Sequence, residues 1–140
     1  MGQHTGPAPF VTQSADGRPA PVAEFMSRGL LEPNIERLKA LYTPRWKTMS
    51  DAVRRELPGA QAFIPGGGFF VSVMLPEDAN TTNLVGRGKD AGLVLTPGAA
   101  FFADPEDGET IPGDRFVRLP FCAVTPEQIE EGVRRLASLL

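Results

Sequence analysis

Phe63-Ile64-Pro65-Gly66-Gly67-Gly68-Phe69-Phe70-Val71-Ser72-Val73-Met74-Leu75-Pro76 joins a short apolar piece, a glycine turn and the most strand-like run of the chain. Phe70, Val71, Val73 and Met74 suit a pleated, half-buried surface. Three consecutive glycines let the backbone turn tightly, or approach another group where a Cβ would clash. Pro76 has no N–H to give and ends the ladder. Taken alone, the stretch is a bent entry to a core strand. Gln61–Ile64 before the turn reads as a short strand, so strand, glycine turn and strand are expected at the centre of the chain.

Before this unit, Pro33 signals a helix start. Ile35, Leu38, Leu41 or Tyr42, Met49, Val53 and Leu57 recur at helical spacing, and charged residues occupy the other side. A long amphipathic helix is expected, ending at Leu57-Pro58-Gly59. Pro44 either kinks it or divides it in two. After the unit, Asn80, Thr81 and Thr82 offer caps for a helix to about Ala91, which Gly92 closes. Leu93–Leu95 reads as a buried strand, and Thr96-Pro97-Gly98 as a type II turn. A polar loop runs from Asp104 to Asp114. The last strand, Arg115–Phe121, alternates Val117, Leu119 and Phe121 on one face with Phe116, Arg118 and Pro120 on the other. Thr125-Pro126-Glu127-Gln128 is a capping-box helix start, and Ile129, Val133, Leu136 and Leu140 form the buried stripe of the helix that follows. The order predicts an α+β, two-layer fold: a small, mostly antiparallel sheet with helices packed on one face.

Composition limits the function. The chain has 140 residues, enough for one domain with a real core, and a net charge of −3. Lys and Arg are interspersed with acids, so no basic footprint for nucleic acid is present. Cys122 is the lone cysteine and His4 the lone histidine. An internal disulfide, a cysteine metal cluster and a histidine-based triad are therefore excluded from this chain alone. No run spans a bilayer and no signal-peptide pattern occurs, so a cytoplasmic protein is expected. Residues 1–24 are rich in Gly, Pro and Ala and are expected to form a flexible leader, with the domain occupying 25–140.

Most polar motifs have a plain structural reading. Gly86-Arg87-Gly88 lies within a helix and lacks the strand and the Gly-Lys-Ser/Thr of a phosphate loop. Asp104, Glu106, Asp107 and Glu109 lack the spacing of a calcium loop. Glu127, Glu130 and Glu131 belong to a solvated helix face, and Cys122 adjoins a buried strand. Arg118 stands apart. A guanidinium between Val117 and Leu119 is costly unless it is paired, snorkels at an edge, or faces a cleft.

These pieces fall into a recognisable order. The stretch 63–76 resembles the Pro-x-Gly-Gly-x-Phe/Tyr-x-Trp…Leu-Pro run of class I/II aminotransferases, the fold-type I enzymes that use pyridoxal phosphate. Gly92-Leu93-Val94-Leu95-Thr96-Pro97-Gly98 with Phe101-Phe102 is similar to their Gly-Val-x-x-x-Pro-Gly-x-x-Phe segment. Arg115–Phe121 resembles their Arg-Leu-x-Phe strand, and 125–136 their closing helix. The helix with Tyr42 and Arg45 at its middle is similar to their long interdomain helix. Aminoadipate-type enzymes and the aminotransferase-like half of MocR-type regulators resemble it most in character.

The resemblance covers about residues 24–140 and only the family's C-terminal small domain. It implies a fragment of a homodimeric, pyridoxal 5'-phosphate-dependent transferase of amino-acid metabolism. The expected partners are a large domain, an amino acid and a 2-oxo acid. It implies that Arg118 binds the substrate α-carboxylate. The Schiff-base lysine and the aspartate that pairs the pyridine nitrogen have no counterpart here, since Lys39, Lys47 and Lys89 sit on helices without the family's Ser-x-x-Lys surroundings. No catalytic residue and no metal ligand is expected in this chain, which alone is expected to be inactive and not to bind the cofactor covalently. Two further readings are the effector-binding domain of a MocR-type transcription regulator and a standalone, non-catalytic αβ binding module.

Overall fold

In the computed structural model, which describes residues 21–103 and 112–140, β1 (Gln61–Phe63), β2 (Phe70–Met74) and β3 (Phe116–Pro120) form a sheet in the order β1-β2-β3. Both pairings are antiparallel: Phe63 lies opposite Ser72, and Val71, Ser72 and Val73 lie opposite Leu119, Arg118 and Val117. Phe121 N–H donates to the Phe69 carbonyl and Leu75 N–H to that of Arg115, so bonding continues past both ends of the β2–β3 ladder. Gly68, at φ 94°, gives the glycine turn its left-handed residue.

The period-two pattern fixes the faces. Val71, Val73, Val117 and Leu119 are buried and point to one side. Met49, Ala52 and Val53 from α2 (Leu31–Glu56), Leu84 from α3 (Thr81–Asp90), and Ile129, Val133 and Leu136 from α4 (Pro126–Ser138) join them in one core. Full burial of such a side chain contributes about 1.5–3 kcal/mol relative to exposure. The α+β architecture expected from the sequence is the one observed, with helices on one face of a small antiparallel sheet.

The caps follow the sequence. Asn80 accepts from Asn83 N–H at the start of α3. Thr125 and Gln128 complete a reciprocal capping box at the start of α4, with Pro126 in its first turn. Gly92, at φ 75°, closes α3: its N–H reaches the Lys89 carbonyl and Leu93 N–H that of Gly88.

Two local expectations change, and of the two alternatives at Pro44 the single helix is the one observed. Leu93–Leu95 is irregular and lies outside the sheet. Leu93 N–H is occupied in closing α3, Pro97 has no N–H, and Val94 is fully exposed, so the piece between them makes no ladder. Pro97, at φ −53° and ψ 130°, has the backbone of a type II turn, but Gly98 lacks the positive φ that such a turn needs and opens a 3-10 turn over Gly98–Phe101. Glycine is required there for space, because a Cβ would lie 2.0 Å from the Phe116 carbonyl oxygen and 2.1 Å from that of Gly113. Finally, α2 is one helix with Pro44 inside it, so the proline costs a backbone bond without ending the helix.

The chain divides into two compact units at Ala40/Leu41. Everything from β1 to α4 belongs to the second. In the first, α1 (Pro21–Ser27) ends at Gly29, whose φ is 68°; Gly29 N–H bonds to Met26 and Leu30 N–H to Phe25. No residue from 21 to 40 is buried. Helix α1 straddles the expected leader boundary at residue 24, while residues 1–20, His4 among them, and the acidic positions 104–109 lie outside the described residues.

Candidate functional site

Arg118 sits on β3 directly opposite Ser72, on the face away from Val117 and Leu119. This is the open face of the sheet. Phe63, Phe70, Ser72, Met74 and Phe116 share it by alternation and register. Phe63 and Phe70 are 49% and 37% exposed there. Phe70 is the diagonal neighbour of Arg118 across the β2–β3 pair, within reach of a long side chain.

The guanidinium rests on aromatic rings. Its Cζ lies over Phe70 at 4.1 Å from the ring centroid and over Phe101 at 4.8 Å. Phe101 comes from the 3-10 turn, and its ring meets Phe116 edge-on at 6.0 Å; Phe102 meets the same ring at 5.2 Å. Among the described residues, Arg118 has no ion-pair or hydrogen-bond partner. A planar fork of this kind suits bidentate binding of an anion.

One buried hydroxyl holds the turn that carries Phe101. Thr81, at 1% exposure, donates from Oγ1 to the Gly113 carbonyl at 3.2 Å and accepts from Gly98 N–H at 3.4 Å. It ties the start of α3 to the turns on either side of the 104–111 segment. Gly113 allows the close approach, since a Cβ on it would lie 2.6 Å from Ala99 Cα.

A second polar cluster ties α2 to the sheet ends. Tyr42 meets Phe69 edge-on at 5.2 Å, and Arg45 Cζ lies 5.9 Å from the Tyr42 ring. Arg45 Nη1 donates to the Cys122 carbonyl at 2.5 Å, and Trp46 Nε1 to that of Pro65 at 3.2 Å. The start of β2 and the exit of β3 are thus both fastened to one helix. Cys122 is half-buried and free, and its contribution here is through its backbone.

A mainly apolar groove of about 710 Å³ runs between residues 92–96, the outer edge of β3 and α4. Leu93, Leu95, Pro120, Val124, Ile129 and Gly132 are among its lining residues, and Arg118 contributes to it. Glu131 at its rim pairs with Arg134 and Arg135, and the hydrogen bond from Arg135 holds its carboxyl below the usual range. Glu130 lies 3.8 Å from Arg55. These acids serve the surface of α4, as their helical spacing suggests. Gly86 and Arg87 lie exposed on α3, and Gly88 is buried against Leu95. Packing against Leu95 accounts for Gly88, while a Cβ on Gly86 would meet open space. Lys39, Lys47 and Lys89 are all exposed on helices, and none is among the residues that line the groove.

Sequence reasoning singled out Arg118 but not the two rings beneath it. The alternation of β2 already put Phe70 with Ser72 and Met74. Which β3 residue it faced depended on a register that no local pattern supplies. The approach of Phe101 depended on the turn being 3-10.

No family model matches the chain. An aromatic-amino-acid aminotransferase of Thermococcus litoralis is 32% identical over 118 residues, covering 84% of this chain and 27% of that protein. The crystal structure of the α-aminoadipate aminotransferase of Thermus thermophilus, complexed with N-(5'-phosphopyridoxyl)-L-leucine, superposes with a TM-score of 0.70 at 30% identity, covering 84% of this chain and 28% of that one. The helix-turn-helix-type transcriptional regulator TauR of Rhodobacter capsulatus is 28% identical over 122 residues, covering 85% of this chain and 24% of that protein. The chain thus spans about a quarter of the length of the relatives it matches.

Proposed function

Since this chain is a homologue of fold-type I pyridoxal-phosphate aminotransferases and has the architecture of their small domain, we propose that it supplies the substrate-carboxylate subsite of such an enzyme. The parent reaction moves an amino group between an amino acid and a 2-oxo acid. Arg118 takes the α-carboxylate through two charge-assisted hydrogen bonds. The supporting observation is its guanidinium on the open face, resting on Phe70 and Phe101 and paired with no acid among the described residues. The large domain of a cytoplasmic, homodimeric parent closes the site over this face. Residues 25–140 form the domain and 1–24 a leader.

The homologues use pyridoxal 5'-phosphate. Bound in the complete enzyme, it supplies the electron sink for the transfer. No covalent attachment to this chain is expected. Every lysine is exposed on a helix, and none is among the residues that line the groove. The chemistry this chain contributes is binding and orientation. A planar fork fixes the carboxylate at two oxygens, and so fixes how the amino end of the substrate is presented.

The test is kinetic, in the complete enzyme. Arg118→Lys and Arg118→Ala are assayed with an amino acid and with the matching amine that lacks the carboxylate. Each hydrogen bond to a charged group is worth roughly 1.5–3 kcal/mol, so kcat/KM for the amino acid should fall by roughly ten- to several-hundredfold. Lysine should not restore it, because an ammonium is a point charge. The amine should lose little. Equal losses for both substrates would assign Arg118 to structure and the carboxylate to another group.

The likeness to TauR supports a second reading, in which the same face binds an amino-acid effector of a transcription regulator. A helix-turn-helix encoded upstream of this segment would select it.

A further inference from the structure

We infer that Phe70 and Phe101 are positioning residues: they hold the plane of the Arg118 guanidinium, and with it the direction in which its N–H donors point. The inference rests on the carboxylate reading only for what those donors meet.

An arginine side chain has large rotamer freedom, and ordering it on binding opposes affinity. Here the guanidinium already lies over the rings of Phe70 at 4.1 Å and Phe101 at 4.8 Å. The supports are themselves fixed. Phe70 is set by the β2–β3 register, and Phe101 by its edge contact to Phe116 and by the turn that Thr81 anchors. A carboxylate neighbour would order the guanidinium equally well, but it would occupy the donors and cancel the charge. An aromatic face attracts the cation while accepting none of its in-plane hydrogen bonds. The rings therefore leave both charge and donors for the ligand. A seat of this kind favours a planar anion that meets the fork edge-on over a spherical one of equal charge.

Nuclear magnetic resonance of the nitrogen-labelled 140-residue chain tests this directly. The Arg118 Nε–Hε signal is assigned by its loss in Arg118→Lys. In the wild type it should be displaced by ring currents and exchange slowly with water. Phe70→Leu and Phe101→Leu should each move it back and speed exchange roughly tenfold. Phe63→Leu, on the same face, should leave it unchanged, and Phe101→Tyr, which keeps a ring, should preserve it. Backbone spectra show whether each variant folds, and the tyrosine variant carries the comparison if a leucine variant does not. Acetate, with chloride at equal ionic strength as control, should perturb the wild-type signal selectively and the leucine variants less. An undisplaced wild-type signal, or leucine variants as ordered and as responsive to acetate as the wild type, would overturn the inference. A wild-type signal that is displaced and slow yet blind to acetate would support the seat and overturn the carboxylate reading.

Discussion

Val117 and Leu119 on one face of β3 are 2% and 7% exposed, while Phe116 and Arg118 on the other stay half-buried beside the more exposed Phe63 and Phe70. The same strand therefore serves two environments. Its inner face meets Leu136, Val133 and Ile129 of α4 and the valines of β2 in one continuous core. Its outer face holds large rings and a guanidinium that aromatic contacts steady without neutralising. Exposed apolar side chains clustered around a charge that has no acid partner among the described residues are the pattern of a binding surface, as the proposed function requires. The inner face carries stability, and in the proposed function the outer face carries recognition, so substitutions on the two faces should separate cleanly.

The largest separation is expected from paired truncations. Leu136→Ala removes a side chain 1% exposed, while Phe63→Ala removes one 49% exposed. The first should cost about 2–5 kcal/mol and lower Tm by several degrees or more. The second should change stability by about 0.5 kcal/mol or less. Comparable shifts in thermal denaturation would show that the outer face is also core.

A smaller effect tests whether the two faces meet at Thr81. Thr81→Val keeps the shape but leaves the Gly98 N–H and the Gly113 carbonyl without their partner, at about 1–3 kcal/mol. Thr81→Ser should recover most of it. Denaturant unfolding measures the cost. The same variant should loosen Phe101 on the open face, so its stability loss and its effect on Arg118 should appear together.

The smallest effect lies on the solvated side of α4. The Glu131 carboxyl is held below its usual range by Arg135. Its folded pKa is below its unfolded one, so the stability it adds is present above the ordinary carboxylate range and is lost as pH falls through the folded value. The Tm difference between wild type and Glu131→Gln should be greatest near neutrality and vanish in acid. A difference that grew on acidification would reverse the assignment. Because the group is exposed, salt should shrink it as well.

The inner face was readable from the chain itself. Alternation put Val117 and Leu119 together, and helical spacing put Ile129, Val133 and Leu136 together, because burial repeats with the period of the element. The Thr125–Gln128 box was local and equally legible. Leu93–Leu95 read as a strand because its side chains are apolar, but a strand needs a partner for its backbone, and that is a tertiary fact. The exposure of Leu41, which shares the helical spacing of Met49 and Val53, has the same origin: spacing says which residues share a stripe, not where the stripe meets another element. Arg118 was visible as a cost, a charge set within an apolar run. Its aromatic seat was not, because Phe70 and Phe101 are brought to it by strand register and by a 3-10 turn.

The order of the sheet has a consequence in time. Residues 64–69 separate β1 from β2, whereas residues 75–115 separate β2 from β3. The entropy of closing a loop grows with the logarithm of its length, so the second pairing costs roughly 2 kcal/mol more to initiate than the first. The β1–β2 hairpin can therefore form early from neighbouring residues, while β3 must wait for a distant encounter. Arg118 and Phe70 come from opposite sides of that late joint, so their contact on the open face forms after the hairpin.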